Sequence, residues 1–155
     1  MRCDECGAEI AGDETCLARF HMLLAAEVDN EELRRMHGLT MLTYHLQHPS
    51  LIKPWYQLFG AHVFQRVFGQ GENWDDVLME THPHRIGRRA DGAVARLKAA
   101  AGPAMPDWVV THPIPGALTI TAIDPDAAPG PAQQVLTWAR SVAERRYLRP
   151  YDEQR

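Results

Sequence analysis

No run of this chain is apolar over anything near the about 18 residues that a membrane-crossing helix needs, so no transmembrane segment is expected. No positively charged start leads into an apolar stretch, so no secretory leader is expected either. Basic residues are not in excess. Sixteen Lys and Arg against 20 Asp and Glu leave a net charge of −4, where a dedicated nucleic-acid binder carries a basic surplus. The common catalytic signatures are missing: there is no Ser-His-Asp order, no glycine-rich phosphate loop, no His-Glu-x-x-His and no kinase set. Gly69-Gln70-Gly71 has no strand before it, as a nucleotide loop would require. There is no internal repeat and no low-complexity segment. Cysteine is scarce. The chain has three, and an odd number argues against a secreted disulfide framework. Free thiols and the lack of a leader lead us to expect a cytoplasmic protein.

What cysteine there is lies in one place, within the first 16 residues. Cys3 and Cys6 stand two residues apart, with Gly7 after them to take the positive φ that a tight turn demands. Two sulfurs on one side of such a turn can hold one Zn²⁺ from two corners of a tetrahedron, and Cys16 supplies a third. A thioredoxin-type dithiol would follow a strand and open a helix, and no strand precedes this pair. The fourth corner falls to an imidazole. His21 is local and closes the shortest loop, which favours it. It lies five residues from Cys16, about 140° round an ideal helix, so both can bind one ion only if Cys16 precedes the first regular turn. Asp13 or Thr15, as N-cap, would place Cys16 at that entry. His37, His45 and His48 are the alternatives. They share one broad helical face, and His37 and His48 are within about 20° of each other. His45 and His48 could also share a second ion, with His21, His62 or Glu27 as third ligand.

The rest of the 155 residues reads as helix. Leu17, Phe20, Leu24 and Val28 form one apolar stripe. Asn30, followed by two acids, opens a second helix through Leu33, Met36, Leu39, Leu42 and Leu46, which stops before Pro49. Ser50 is the expected cap of a third, through Trp55, Phe59, Val63 and Val67, and Asn73 caps a short fourth. Residues 86–101 read as helix with a polar face, and Pro131 opens a last amphipathic helix. Seven prolines between 102 and 131 forbid a long helix there. Residues 118–123 are the one β-like run, a candidate short edge strand. His82, His84, Arg85, Arg88 and Arg89 make a small basic patch, read as a solvated face. We therefore expect a mainly α-helical single domain over 1–148, of five or six helices, with a zinc knuckle over 1–21, a proline-rich surface segment over 102–131 and a polar tail over 149–155.

Several of these stretches are familiar together. Cys-x-x-Cys-Gly at Cys3, Cys6 and Gly7, Phe20 to Glu27 behind Cys16, His37 to Thr40, Tyr44 to Ser50, and Val135 to Val142 resemble a bacterial family of uncharacterised small proteins. The family's motif leaves the slot of His45 open, which shifts weight to His37 and His48. The resemblance implies a metal-binding helical domain and carries no activity. The leading expectation is a cytoplasmic zinc protein with a structural Cys3His site, acting through a protein or small-molecule partner. One alternative is a metal-dependent hydrolase or thiol-linked transferase with an open site near His21, His37 and His48. Another is a zinc-thiolate redox sensor.

Overall fold

The structure is a computed structural model and describes residues 1–81, 95 and 112–148. It is mainly helical, with six α-helices among the described residues. The first, α1 (Cys16–Ala26), begins where Thr15 accepts the Ala18 N–H at 3.1 Å, and it buries Cys16, Phe20 and Leu23 along one face. Asn30 caps α2 (Glu31–Arg35) by accepting the Leu33 N–H at 2.9 Å. The second helix expected from the sequence is broken at Met36. There ψ is −1° and the amide bonds back three residues to Leu33, so the turn tightens before α3 (His37–Gln47) begins. Helix α3 ends at His48, ahead of Pro49, and Pro49–Leu51 form a single 3₁₀ turn.

Ser50 does not cap the following helix. Pro54 opens α4 (Pro54–Phe64), with Lys53 at the cap and no side-chain bond there, and a π turn over Gln65–Gly69 extends it. Gly60 is where α4 crosses α3: a Cβ there would stand 2.6 Å from a Leu46 methyl. Asn73 caps α5 (Trp74–Thr81). The last helix, α6 (Pro131–Val142), runs into a π turn over Ala143–Tyr147 and buries Val135, Trp138, Ala139 and Val142 completely.

Helix α3 packs most extensively on α6. Leu39, Leu42 and Leu46 meet Val135, Trp138 and Val142 in one apolar cluster, each large side chain worth about 1.5–3 kcal/mol of burial. The described part of the proline-rich segment lies over this pair. The Leu118 N–H is bonded to Ser141 Oγ at 2.9 Å, and its carbonyl to Gln47 Nε2 at 2.8 Å. With both groups taken by side chains, residues 118–123 form no strand, and Ile120–Ala122 make a 3₁₀ turn. The residues of the basic patch, His82 to Arg89, and the helix expected over 86–101 lie outside the described residues, apart from Ala95. No helix among the described residues is long and apolar enough to cross a membrane.

Candidate metal centre

Residues 1–10 fold back on themselves through an antiparallel bridge between Arg2 and Glu9. Inside it, Cys3 N–H bonds to Ala8 O and Gly7 N–H to Cys3 O, both at 2.9 Å, and Gly7 takes φ +77°. This is the tight turn that the Cys-x-x-Cys-Gly spacing calls for, and it turns both sulfurs to one side. A side chain at Gly7 would be doubly opposed, because its Cβ would also stand 3.1 Å from Pro113 Cβ.

Cys16, the first residue of α1, brings the third sulfur, and His48, at the end of α3, brings a ring nitrogen. The three Sγ atoms and the imidazole nitrogen all lie within 4.8 Å of one another, a group that could hold a metal ion. Cys6 Sγ is 3.4 Å from Cys16 Sγ, and Cys3 Sγ is 3.8 Å from His48 Nε2. His48 Nδ1 sits 2.8 Å from the Tyr44 carbonyl oxygen. A carbonyl only accepts, so Nδ1 carries the proton and Nε2 turns its lone pair to the sulfurs. This is the carbonyl–histidine arrangement that orients metal-binding imidazoles. The ring is fixed further by stacking: His48 lies 4.1 Å from Tyr44, and Tyr44 lies 3.9 Å from Phe20 and nearly parallel to it. The turn is tied to the same helix end by Glu5, whose carboxylate accepts the Ser50 N–H at 2.9 Å and the Ser50 hydroxyl at 2.8 Å.

Cys6, Cys16 and His48 are buried and Cys3 is partly exposed. Burial pushes the Cys6 thiol up to about 11 and raises Cys16 as well, where the neighbouring Cys6 sulfur adds to the effect. At Cys3 burial also acts to raise the thiol, but the Cys6 and Glu5 N–H groups together with the other two sulfurs outweigh it and leave it lowered. Burial lowers His48, which keeps the ring neutral. The two buried sulfurs, Cys6 and Cys16, resist carrying negative charge by themselves, and a bound cation would reverse that preference.

The structure thus gathers Cys3, Cys6 and Cys16 with the ring nitrogen of His48, and not that of His21. His21 is exposed on α1. Cys16 already lies within the regular helix, so the about 140° between positions five apart carries His21 away from the sulfurs. His37 is also elsewhere. Its Nδ1 is 2.6 Å from Glu27 Oε2, joining the start of α3 to the end of α1, and its side chain is 54% exposed. His45 lies among Phe20, Tyr44 and Tyr56, and His62 is exposed. Among the described residues no second group of three such side chains comes together.

The Gln-His-Pro-Ser run gains a physical reading that spacing alone does not give. Gln47 Oε1 accepts from Trp138 Nε1 at 2.9 Å, His48 faces the sulfurs, Pro49 stops the helix and Ser50 reaches Glu5. The signal open to sequence reading was four consecutive residues, three of them polar, at a helix end.

A mainly helical protein that gathers three thiols and one imidazole into a group able to hold a metal ion is the class that fold and site define. The chain belongs to a family of unknown function (DUF5946), whose model matches residues 1–146. No curated protein and no solved structure matches it.

Proposed function

We propose that Cys3, Cys6, Cys16 and His48 hold one structural Zn²⁺, and that the chain works as a zinc-dependent binding module for a protein or small-molecule partner. The observation that carries this is the mutual spacing of the four donors, within 4.8 Å, with edges of 3.4 and 3.8 Å. An ion about 2.3 Å from sulfur and about 2.0 Å from nitrogen spaces tetrahedral donors by about 3.5–3.8 Å. Soft sulfur with one imidazole suits zinc, whereas oxygen-seeking ions such as Mg²⁺ and Ca²⁺ find no ligand here. Four protein donors fill a tetrahedron, as structural sites do, while a catalytic site keeps one position for water. Reduced thiolates suit a cytoplasmic setting.

Metal analysis of the purified full chain tests the proposal. The expected content is about one zinc per chain, with a chelator-competition affinity typical of a closed thiolate site. Iron in place of zinc, or no metal after reconstitution, would overturn it.

A further inference from the structure

The four donors are not equally sheltered. Cys6, Cys16 and His48 are buried, whereas Cys3 is partly exposed. In a zinc-loaded site the metal keeps every cysteine as thiolate, so access decides which sulfur an oxidant meets first. Cys3 is that sulfur, and both other sulfurs wait within 4.8 Å of it. Three thiolates this close, one open and two covered, supply an attacking group and a resolving group in one place.

We propose, on the basis of the zinc-site reading, that Cys3 is a peroxide-modification site whose oxidation releases the metal. The Cys3 thiolate attacks one oxygen of a hydroperoxide. A sulfur–oxygen bond forms, the oxygen–oxygen bond breaks, sulfur gives up two electrons, and the other oxygen leaves as an alcohol or water after taking a proton from solvent. The thiolate of Cys6 or Cys16 then attacks the Cys3 sulfur. A disulfide forms, the sulfur–oxygen bond breaks, and the departing hydroxide takes a second solvent proton. Two thiolates, one hydroperoxide and two protons thus become one disulfide, one alcohol (or water) and one water. The ion keeps only one cysteine and His48 and dissociates. A low-molecular-weight dithiol reverses the step by exchange. Without the metal, residues 1–10 lose the ion's links to α3 and keep only the Glu5–Ser50 hydrogen bonds and the close approach of Gly7 to Pro113, so the turn loosens while the helical core stays folded.

The test uses the zinc-loaded full chain and hydrogen peroxide. Zinc release is followed with a colorimetric chelator, sulfenic acid is trapped with a cyclic 1,3-dione, and peptides are mapped by mass. We expect the earliest trap adduct on Cys3, then one disulfide that includes Cys3, one ion released per disulfide, and recovery with dithiol plus Zn²⁺. First labelling of Cys6 or Cys16, a Cys6–Cys16 disulfide formed while Cys3 is still free, or zinc lost with all thiols intact would overturn the proposal. Cys3→His keeps a donor but no oxidisable sulfur, and release by peroxide should slow by about tenfold or more; release at the parent rate counts against the proposal. If that variant fails to hold zinc, the trap map of the unaltered chain decides. Failure of the zinc reading itself looks different, because the protein would then carry no zinc before any peroxide is added.

Discussion

Gln47 and His48 are neighbours in the chain, yet they serve joints of opposite character. Gln47 belongs to the contact between α3 and α6. Its side chain is 1% exposed and satisfied at both ends, by Trp138 and by the Leu118 carbonyl, within a wall of buried leucine and valine. His48 belongs to the joint between α3 and the N-terminal turn. That joint gathers the three sulfurs beside the stacked Phe20, Tyr44 and His48 rings, with Ala8 and Ile10 buried in the same turn and the Glu5–Ser50 hydrogen bonds at its edge. The first joint is made by buried side chains and includes none of the four clustered groups. The second holds all four, and on the zinc-site reading an ion would stabilise its thiolates. On that reading, one helix end therefore couples an apolar core contact to a metal-linked attachment, and each can be weakened separately.

The largest effect should come from the core side. Trp138→Ala removes the bulkiest fully buried side chain among the described residues and leaves Gln47 Oε1 without its donor. A cavity of this kind costs about 3–5 kcal/mol, which urea unfolding of the full chain would register as a much lower midpoint. The milder Trp138→Phe keeps the ring packing and deletes the N–H, for about 1–3 kcal/mol. Its zinc affinity should stay within about threefold of the parent if the two joints are independent. A parallel collapse of zinc affinity would show that they are one cooperative unit.

On the metal side, His48→Ala removes a donor. Losing even an outer-shell partner of a metal ligand costs about 10–100-fold in affinity, so losing the ligand should cost at least about 100-fold. His21→Ala should bind zinc like the parent, because His21 is exposed on α1 and away from the sulfurs. The far-ultraviolet helix signal should survive in both. If His21→Ala weakened zinc as much as His48→Ala, the donor set would have to be redrawn.

The contrast between these two histidines shows what the sequence makes legible. The meeting of Cys3, Cys6 and Cys16 can be read from residue type and spacing, because a Cys-x-x-Cys-Gly turn and a helix entry capped at Thr15 are both local. The mainly helical architecture and the caps at Asn30 and Asn73 are legible for the same reason. The fourth member of the cluster is a tertiary matter. Loop-closure entropy grows only slowly with length, so the short loop to His21 is a weak preference. The phase of α1 overrides it by turning that ring outward, and the docking of α3 carries in His48 from 32 positions beyond Cys16. Residues 118–123 fail as a strand for a related reason. Alternation qualifies a segment to pair, but here Gln47 and Ser141 take the Leu118 backbone groups. The break at Met36 rests on one residue's ψ inside a stretch whose apolar period runs through unbroken.

Acid should act on the metal side before the core side. Burial lowers His48, and it lowers His45 too, with His48 adding to the effect there. Both rings therefore favour the neutral form in the folded chain, while in the unfolded chain they titrate near about 6.5. As pH falls through that value, the unfolded state takes up protons that the folded state resists. The stability these rings contribute is present above about 6.5 and lost towards their lower folded values. Glu27 runs the other way, since burial raises it despite the His37 contact, so its share appears only at more acid pH. Urea unfolding of chelator-treated protein should therefore show stability dropping as pH falls from about 7 towards 5, and His48→Asn should flatten the slope. An unchanged slope in that variant would place the titration elsewhere.

The smallest effect should come from the Glu5–Ser50 latch, and it separates holding the metal from positioning the turn that holds it. The latch lies in the open, where hydrogen bonds are worth about 0.5–1 kcal/mol, so removing it should weaken zinc by about two- to fivefold. The order among variants follows from donor and acceptor counts. Glu5→Ala loses both bonds, and Ser50→Ala loses only the hydroxyl while its backbone N–H still donates. Glu5→Gln loses least, because its amide oxygen can accept the N–H while its amide nitrogen donates to the Ser50 hydroxyl. Proteolysis within residues 1–10 should rise in the same order in chelator-treated protein and converge once zinc is restored, since the ion then supplies the attachment. If Ser50→Ala weakened zinc as severely as His48→Ala, the latch would belong to the metal's own coordination energetics, and the division between the two joints would have to be drawn one residue further along the chain.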